Sequence, residues 1–178
     1  MKTLFLGARY KVQHKDITED NAVEMLSTDI RSKLMGSARA WVYPSNLNIP
    51  DTDIHYVGGF YYEPGDGSQR SIANSEMEEI DKADIVCLDF TKPNAIATIA
   101  ELFYALKQNK EIHIFIDPAL TNDQITSEYW FIFYTMDKMY GTDDSSIPLN
   151  VTRHFVHSEE EIVEIIKSLN KLENETKN

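Results

Sequence analysis

Glu101 is the residue of this chain best placed to do chemistry. It stands in Ala97-Thr98-Ile99-Ala100-Glu101, and a hydroxyl, Thr98, lies three residues before it on the same side of a helix. An ionised, unencumbered carboxylate can act as a nucleophile or stabilise a neighbouring cation. A second source of carboxylates is Ser75-Glu76-Met77-Glu78-Glu79-Ile80. There Met77 and Ile80 face inward, and Glu76, Glu78 and Glu79 are candidates for the outside. Asp84 reads as a strand-start residue that bonds backbone amides.

The wheel of residues 96 to 108 leaves two readings of Glu101 open. Ile96, Ile99, Phe103 and Leu106 form an apolar stripe, and Thr98, Glu101 and Ala105 fall opposite it. Polar residues opposite such a stripe are ordinarily solvated. Against that, the small residues Ala97 and Ala105 flank the glutamate, where a solvated face usually carries Lys, Gln or Glu. The positive end of the helix would also favour the charged carboxylate.

Other chemistries find less support. The histidines at 14, 55, 113, 154 and 157 show no metal-ligand spacing, and His113 alternates into a strand as a structural residue. The single cysteine, Cys87, lies in an apolar run and reads as buried; it excludes an internal disulfide. There is no GxGxxG, no P-loop and no GxSxG elbow, so no cofactor and no metal are expected. The formal net charge of −12 repels phosphate backbones and speaks against nucleic acid as a partner, but not against a small nucleotide in a local pocket. No apolar run approaches the ~18 residues of a membrane span. The composition fits a reducing cytoplasm.

These residues need elements to hold them. Lys82 to Asp117 is a βαβ unit: Ile85-Val86-Cys87-Leu88, an amphipathic helix, then Ile112-His113-Ile114-Phe115-Ile116. Glu101 sits early in that helix, near the strand edge where open α/β sheets bind ligands. Before the unit, the spacing predicts a strand over 2–6 ending at Gly7-Ala8, a helix over 17–35 stopped by Gly36, a second strand over 38–43 and a long loop over 44–71. The loop carries Gly58-Gly59-Phe60-Tyr61-Tyr62, whose aromatics suit either stacking on a flat ring or filling the core. A short helix over 74–82 precedes the unit.

After it, 122–140 reads as a helix around Tyr129-Trp130-Phe131-Ile132-Phe133-Tyr134, covering the core or meeting a partner. A strand over 150–156 and a helix opened by the capping box Ser158-x-x-Glu161 complete the chain. The expected fold is a single α/β domain over 1–173, flavodoxin- or Rossmann-like, with a frayed tail over 174–178. Its five strands run in a mainly parallel sheet of order 2-1-3-4-5, with helices on both faces.

Three stretches together resemble the nucleoside 2-deoxyribosyltransferase superfamily, which includes related nucleotide N-glycosidases. They are Leu4-Phe5-Leu6-Gly7-Ala8-Arg9-Tyr10, Glu76-x-x-x-Ile80-x-x-Ala83-Asp84, and Ala97-Thr98-x-x-Glu101-x-x-Tyr104-Ala105 followed by Asn109-Lys110. The third is the most specific, and the resemblance spans about residues 1 to 117. It implies that Glu101 attacks the anomeric carbon of a nucleoside or nucleotide, that Glu76 holds or protonates the base, and that Asn94 and Thr98 contact the sugar or a 5′ group. Phe60, Tyr61 and Tyr62 would sandwich the base, with Gly7, Ala8 and Tyr10 forming the first turn of the site. The sugar would pass to another base or to water, as in retaining glycoside hydrolysis. A homodimer or higher homo-oligomer is implied as well.

The chain departs from the pattern at Glu76, where Asp is common, at Ala97, where Gly is usual, and at Phe5, where some members have Tyr. The segment 129–134 has no counterpart in the pattern. A non-catalytic nucleotide-binding or sensing module on the same fold is the alternative, and an assembly role for 129–134 is a third reading.

Overall fold

The computed structural model describes residues 1–10, 16–44, 47–61, 69–92, 95–121, 129, 132 and 150–169. Five strands form one parallel sheet: β1 (Lys2–Gly7), β2 (Ile54–Gly58), β3 (Ile85–Asp89), β4 (Glu111–Ile116) and β5 (Val151–Phe155), in the order β2-β1-β3-β4-β5. The reversal of strand order beside β1 opens a crevice at the carboxyl ends of β1 and β3.

The alternation of side chains along the strands divides the core in two. Leu4, Leu6, Ile85, Cys87 and Phe115 point to one face, with residues of α1 (Ala22–Met25), α2 (Ile30–Met35), α3 (Ala38–Val42) and α6 (Glu159–Ser168). Phe5, Val86, Leu88, Ile112 and Ile114 point to the other, with residues of α4 (Gln69–Lys82) and α5 (Ile96–Lys107). Every residue of β3 is buried, which is why it reads as an unbroken apolar run.

The second strand is not 38–43. Those residues form α3, with Ala38, Trp41 and Val42 buried at helical spacing and Trp41 Nε1 donating to Ser32 Oγ at 2.8 Å. The aromatic and Val residues suggest a strand, but the alanines at 38 and 40 suit a helix, and the buried set fits a period of 3.6 rather than 2. The strand that pairs with β1 lies inside the expected loop. Ile54, Tyr56 and Gly58 are buried while His55 and Val57 are half-buried, a plain alternation. The sheet order therefore holds with a different segment as β2.

The single helix expected over 17–35 is two, α1 and α2. Asp29 caps α2 by accepting from Arg31 N–H at 3.0 Å, and Gly36, at φ 76°, ends it. Other local expectations hold. Thr3 N–H donates to Asp84 at 2.8 Å, Cys87 and His113 are buried, and Ser158 Oγ accepts from Glu161 N–H at 3.2 Å. Tyr129 and Ile132 are buried in the α4–α5 side of the core; the rest of 122–140, and the tail over 174–178, lie outside the described residues. Among the described residues, no helix is long and apolar enough to cross a membrane.

Candidate functional site

The crevice holds a cavity of about 190 Å³. The turn after β1 contributes Ala8, Arg9 and Tyr10, and the turn after β2 contributes Gly59 and Phe60. Helix α4 adds Glu76, α2 adds Arg31, and the start of α5 adds Ala95 to Thr98 and Glu101. Glu101, Glu76, Ala8, Tyr10, Phe60 and Thr98, drawn from four parts of the sequence, thus meet at one wall. Gly7 lies directly beneath Glu101. Tyr61 packs edge-on against Tyr10, with ring centroids 6.5 Å apart, and does not line the cavity. Tyr62 and Asn94 lie outside the described residues.

Glu101 is only 5% exposed, and its Oε2 has no hydrogen-bond partner among the described residues. The face of α5 that carries it faces the sheet. Thr98, Glu101, Leu102, Ala105 and Leu106 are buried, whereas Ile96, the first residue of the supposed inner stripe, is 74% exposed. The solvated reading of Glu101 is therefore overturned. Gly7, which has no side chain, leaves the space that the carboxyl occupies at the end of β1.

Burial also runs against the expectation of an ionised Glu101. Burial pushes its pKa up to about 8; the charges of Glu76 and Glu79 add to this and Arg31 opposes it. Glu101 is the sixth residue of α5, beyond the first turn in which a helix terminus acts strongly. Desolvation wins at that depth. Glu76, half-buried, is also raised, first by burial and then by Glu79, against Arg31.

Arg31 is a residue of the cavity wall that the sequence did not disclose. Its side chain is 4% exposed, yet it reaches the cavity wall. Nη1 pairs with Asp29 Oδ1 at 3.0 Å and Nη2 donates to the carbonyl of Ala8. The guanidinium lies 4.8 Å from the ring centre of Tyr10 and 5.2 Å from that of Trp41. Burial works against its charge, but Asp29, Tyr10 and Tyr56 together outweigh this and raise its pKa. The available signal was Ser27-Thr28-Asp29, a helix-start cluster inside an apparently continuous helix, which puts Arg31 in the first turn of a new one.

Gly59 turns the chain into the site. Its φ is 83°, and a Cβ there would meet the carbonyl oxygen of Leu6 at 2.2 Å. Its N–H donates to the buried Glu79 at 2.9 Å and its carbonyl accepts from Tyr56 OH at 3.1 Å. The left-handed turn delivers Phe60 to the cavity, where Tyr10 OH donates to the Phe60 carbonyl at 3.2 Å.

The outer members of the α5 motif have another task. Tyr104 OH donates to Asp81 at 3.0 Å, and Lys110 Nζ donates to the carbonyls of Asp81 and Ala83 at 2.8 Å. They lock α5 to the end of α4, so that Glu76 and Glu101 come from two helices fastened together. Phe5 is fully buried in the core.

Among the described residues, no group of three or more His, Cys, Asp or Glu could hold a metal ion. What the site offers is two carboxyls, a fixed guanidinium, an aromatic ring and a buried hydroxyl around a small cavity. Comparison with protein-family models, with curated proteins and with solved structures returns no match.

Proposed function

We propose that this chain cleaves or transfers the N-glycosidic bond of a nucleoside or nucleotide, with Glu101 as the nucleophile, as its resemblance to the nucleoside 2-deoxyribosyltransferase superfamily implies. The observation that carries the reading is the buried Oε2 of Glu101, unpartnered among the described residues and set in the wall of a cavity shared with Glu76 and Phe60. A buried carboxyl without a partner is costly, and its retention fits a group kept for a ligand.

In this mechanism Glu101 attacks the anomeric carbon as the bond to the base breaks. The base leaves with a proton supplied by Glu76. A glycosyl ester on Glu101 remains, and an acceptor base or water then displaces the sugar. Two carboxyls in one field do not ionise together easily, so one stays protonated as donor while the other attacks. Glu101 holds its proton up to about pH 8, so on attack that proton passes to Glu76, which gives it to the leaving base and afterwards takes one from the acceptor base or water. Positive charge developing at the anomeric carbon favours the ionised form of Glu101, and Arg31 adds to that pull. Phe60 offers a ring face to the base. A homodimer or higher oligomer belongs to the same proposal.

The raised pKa of Glu101 favours one further reading, a nucleotide-binding or sensing module. There the protonated carboxyl donates a hydrogen bond to a ligand and breaks nothing. One experiment separates the two. The protein and Glu101→Ala are incubated with deoxyribonucleosides, ribonucleosides and their monophosphates, with and without an acceptor base, and free base is followed by chromatography. Base release that disappears in the variant supports the glycosidic reaction, and dependence on acceptor distinguishes transfer from hydrolysis. Ligand-induced thermal stabilisation without base release would overturn it in favour of the binding module.

A further inference from the structure

Helix α5 brings Thr98 and Glu101 to the cavity, yet it begins without a cap of its own. The N-cap position is Ala95, and no side chain there accepts a bond from the first turn. Helix starts leave backbone donors that need partners from elsewhere. Here one comes from far along the chain. Tyr129 OH accepts from Ala95 N–H at 2.9 Å and donates to the carbonyl of Lys92 at 2.5 Å. One oxygen thus closes both ends of the turn that leads from β3 into α5.

We propose that Tyr129 is a positioning residue for the site: its hydroxyl fixes the start of α5 and thereby the place of Glu101 in the cavity. Three observations support this. The ring is 5% exposed and packs edge-on to Phe90, with centroids 5.3 Å apart, and phenylalanine would fill that space equally well. The hydroxyl is what differs, and it serves at once as acceptor and donor to backbone groups that are otherwise costly to bury.

The same turn is also fastened from its other side. Asp89 accepts from Thr91 N–H at 2.9 Å, and Lys92 Nζ pairs with Glu159 at 2.6 Å; Glu159 in turn pairs with Lys33 on α2, the helix of Arg31. Thr91, Lys92 and Ala95 are thus tied to β3, α6 and Tyr129. Finally, Tyr129 lies outside the stretches that carry the family resemblance, so this is a device of this chain's own segment.

The catalytic arm of the test rests on the glycosidic reading; a second arm does not. Tyr129→Phe keeps the ring and removes the hydroxyl. Ile132→Val, in the same core cluster, serves as a packing control. Amide hydrogen exchange over residues 95–99 is measured together with steady-state base release. In Tyr129→Phe we expect exchange over 95–99 to quicken by about tenfold or more, and kcat to fall by roughly 10- to 100-fold with KM little changed, as small displacements of a reacting group do. Ile132→Val should leave both at wild-type values. Exchange over 95–99 at the wild-type rate in Tyr129→Phe overturns the proposal. If the wild-type protein releases no base, the glycosidic reading fails by itself, and the exchange arm still decides whether Tyr129 holds the helix start.

Discussion

The carboxyl of Glu101 occupies the space that a side chain on residue 7 would need. A Cβ built on Gly7 would lie 2.0 Å from Glu101 Oε2 and 2.9 Å from Leu88 Cδ2. The glycine at the end of β1 and the glutamate on α5 are therefore one feature. Gly7→Ala must push the carboxyl out of its seat or spread α5 from the sheet. We expect base release to fall by about 100-fold, since a displacement near 1 Å suffices for that. Overpacking would lower stability by about 1–3 kcal/mol. Base-release kinetics and urea unfolding read the two effects, and a variant with wild-type kcat would show that the carboxyl has no fixed seat.

The protonation of Glu101 gives stability a pH dependence of definite sign. Its folded pKa, pushed up to about 8, lies above the ordinary carboxylate value, so between the two the folded chain binds more protons than the unfolded chain. The contribution is fully present below the unfolded pKa and is lost as pH rises through about 8. Its size is on the order of a few kcal/mol. Glu101→Gln removes it. Urea midpoints taken from about pH 5 to about pH 9 should decline more steeply in the wild type than in the variant. Parallel declines would mean that Glu101 does not carry the proton.

The same carboxyl sets the expected rate profile. Attack needs one carboxyl ionised and departure of the base needs the other protonated, so kcat/KM should pass through a maximum and fall as pH rises through about 8, where the pair loses its last proton. The midpoint belongs to the coupled Glu101 and Glu76 rather than to either alone. A profile flat from about pH 6 to about pH 9 would be inconsistent with a nucleophile buried in this way.

Arg31 tests the electrostatic balance. In Arg31→Met, Asp29 is left buried without its partner, a loss of about 3–5 kcal/mol, and the limb near pH 8 should move to higher pH because the opposing charge is gone. In Arg31→Lys the charge stays while the two-point hold on Asp29 and Ala8 weakens, so the limb should stay near its wild-type position with a smaller loss of stability. An unmoved limb in a folded Arg31→Met protein would sink the assigned role.

Phe60 should act on binding rather than on chemistry. It packs edge-on to Tyr56, with centroids 5.3 Å apart, and lines the cavity. Stacking of a base on an aromatic ring is worth about 1–3 kcal/mol. Phe60→Ala should raise KM roughly tenfold or more while kcat changes far less. Equal losses in kcat and kcat/KM would place the ring in the transition state instead.

The sequence by itself determined the βαβ unit from Lys82 to Asp117, the parallel sheet with its order, and the crevice where the Gly7-Ala8 turn meets the start of the helix that carries Thr98 and Glu101. Each follows from local rules: apolar runs, helical spacing, and the preference of ligands for the carboxyl edge of such a sheet. The tertiary structure decided the rest. Which stretch pairs with β1 depended on burial, because both 38–43 and 54–58 carry aromatic and branched residues and only the second alternates once it is packed. Which side of α5 turns inward depended on the space that Gly7 leaves for the carboxyl, which a wheel ranked by hydropathy cannot weigh. Arg31 reaches the site because α2 begins at Asp29 and crosses behind Tyr10, a contact between distant segments that no spacing encodes. The proton on Glu101 follows from desolvation, and desolvation exists only once the chain has closed around the carboxyl.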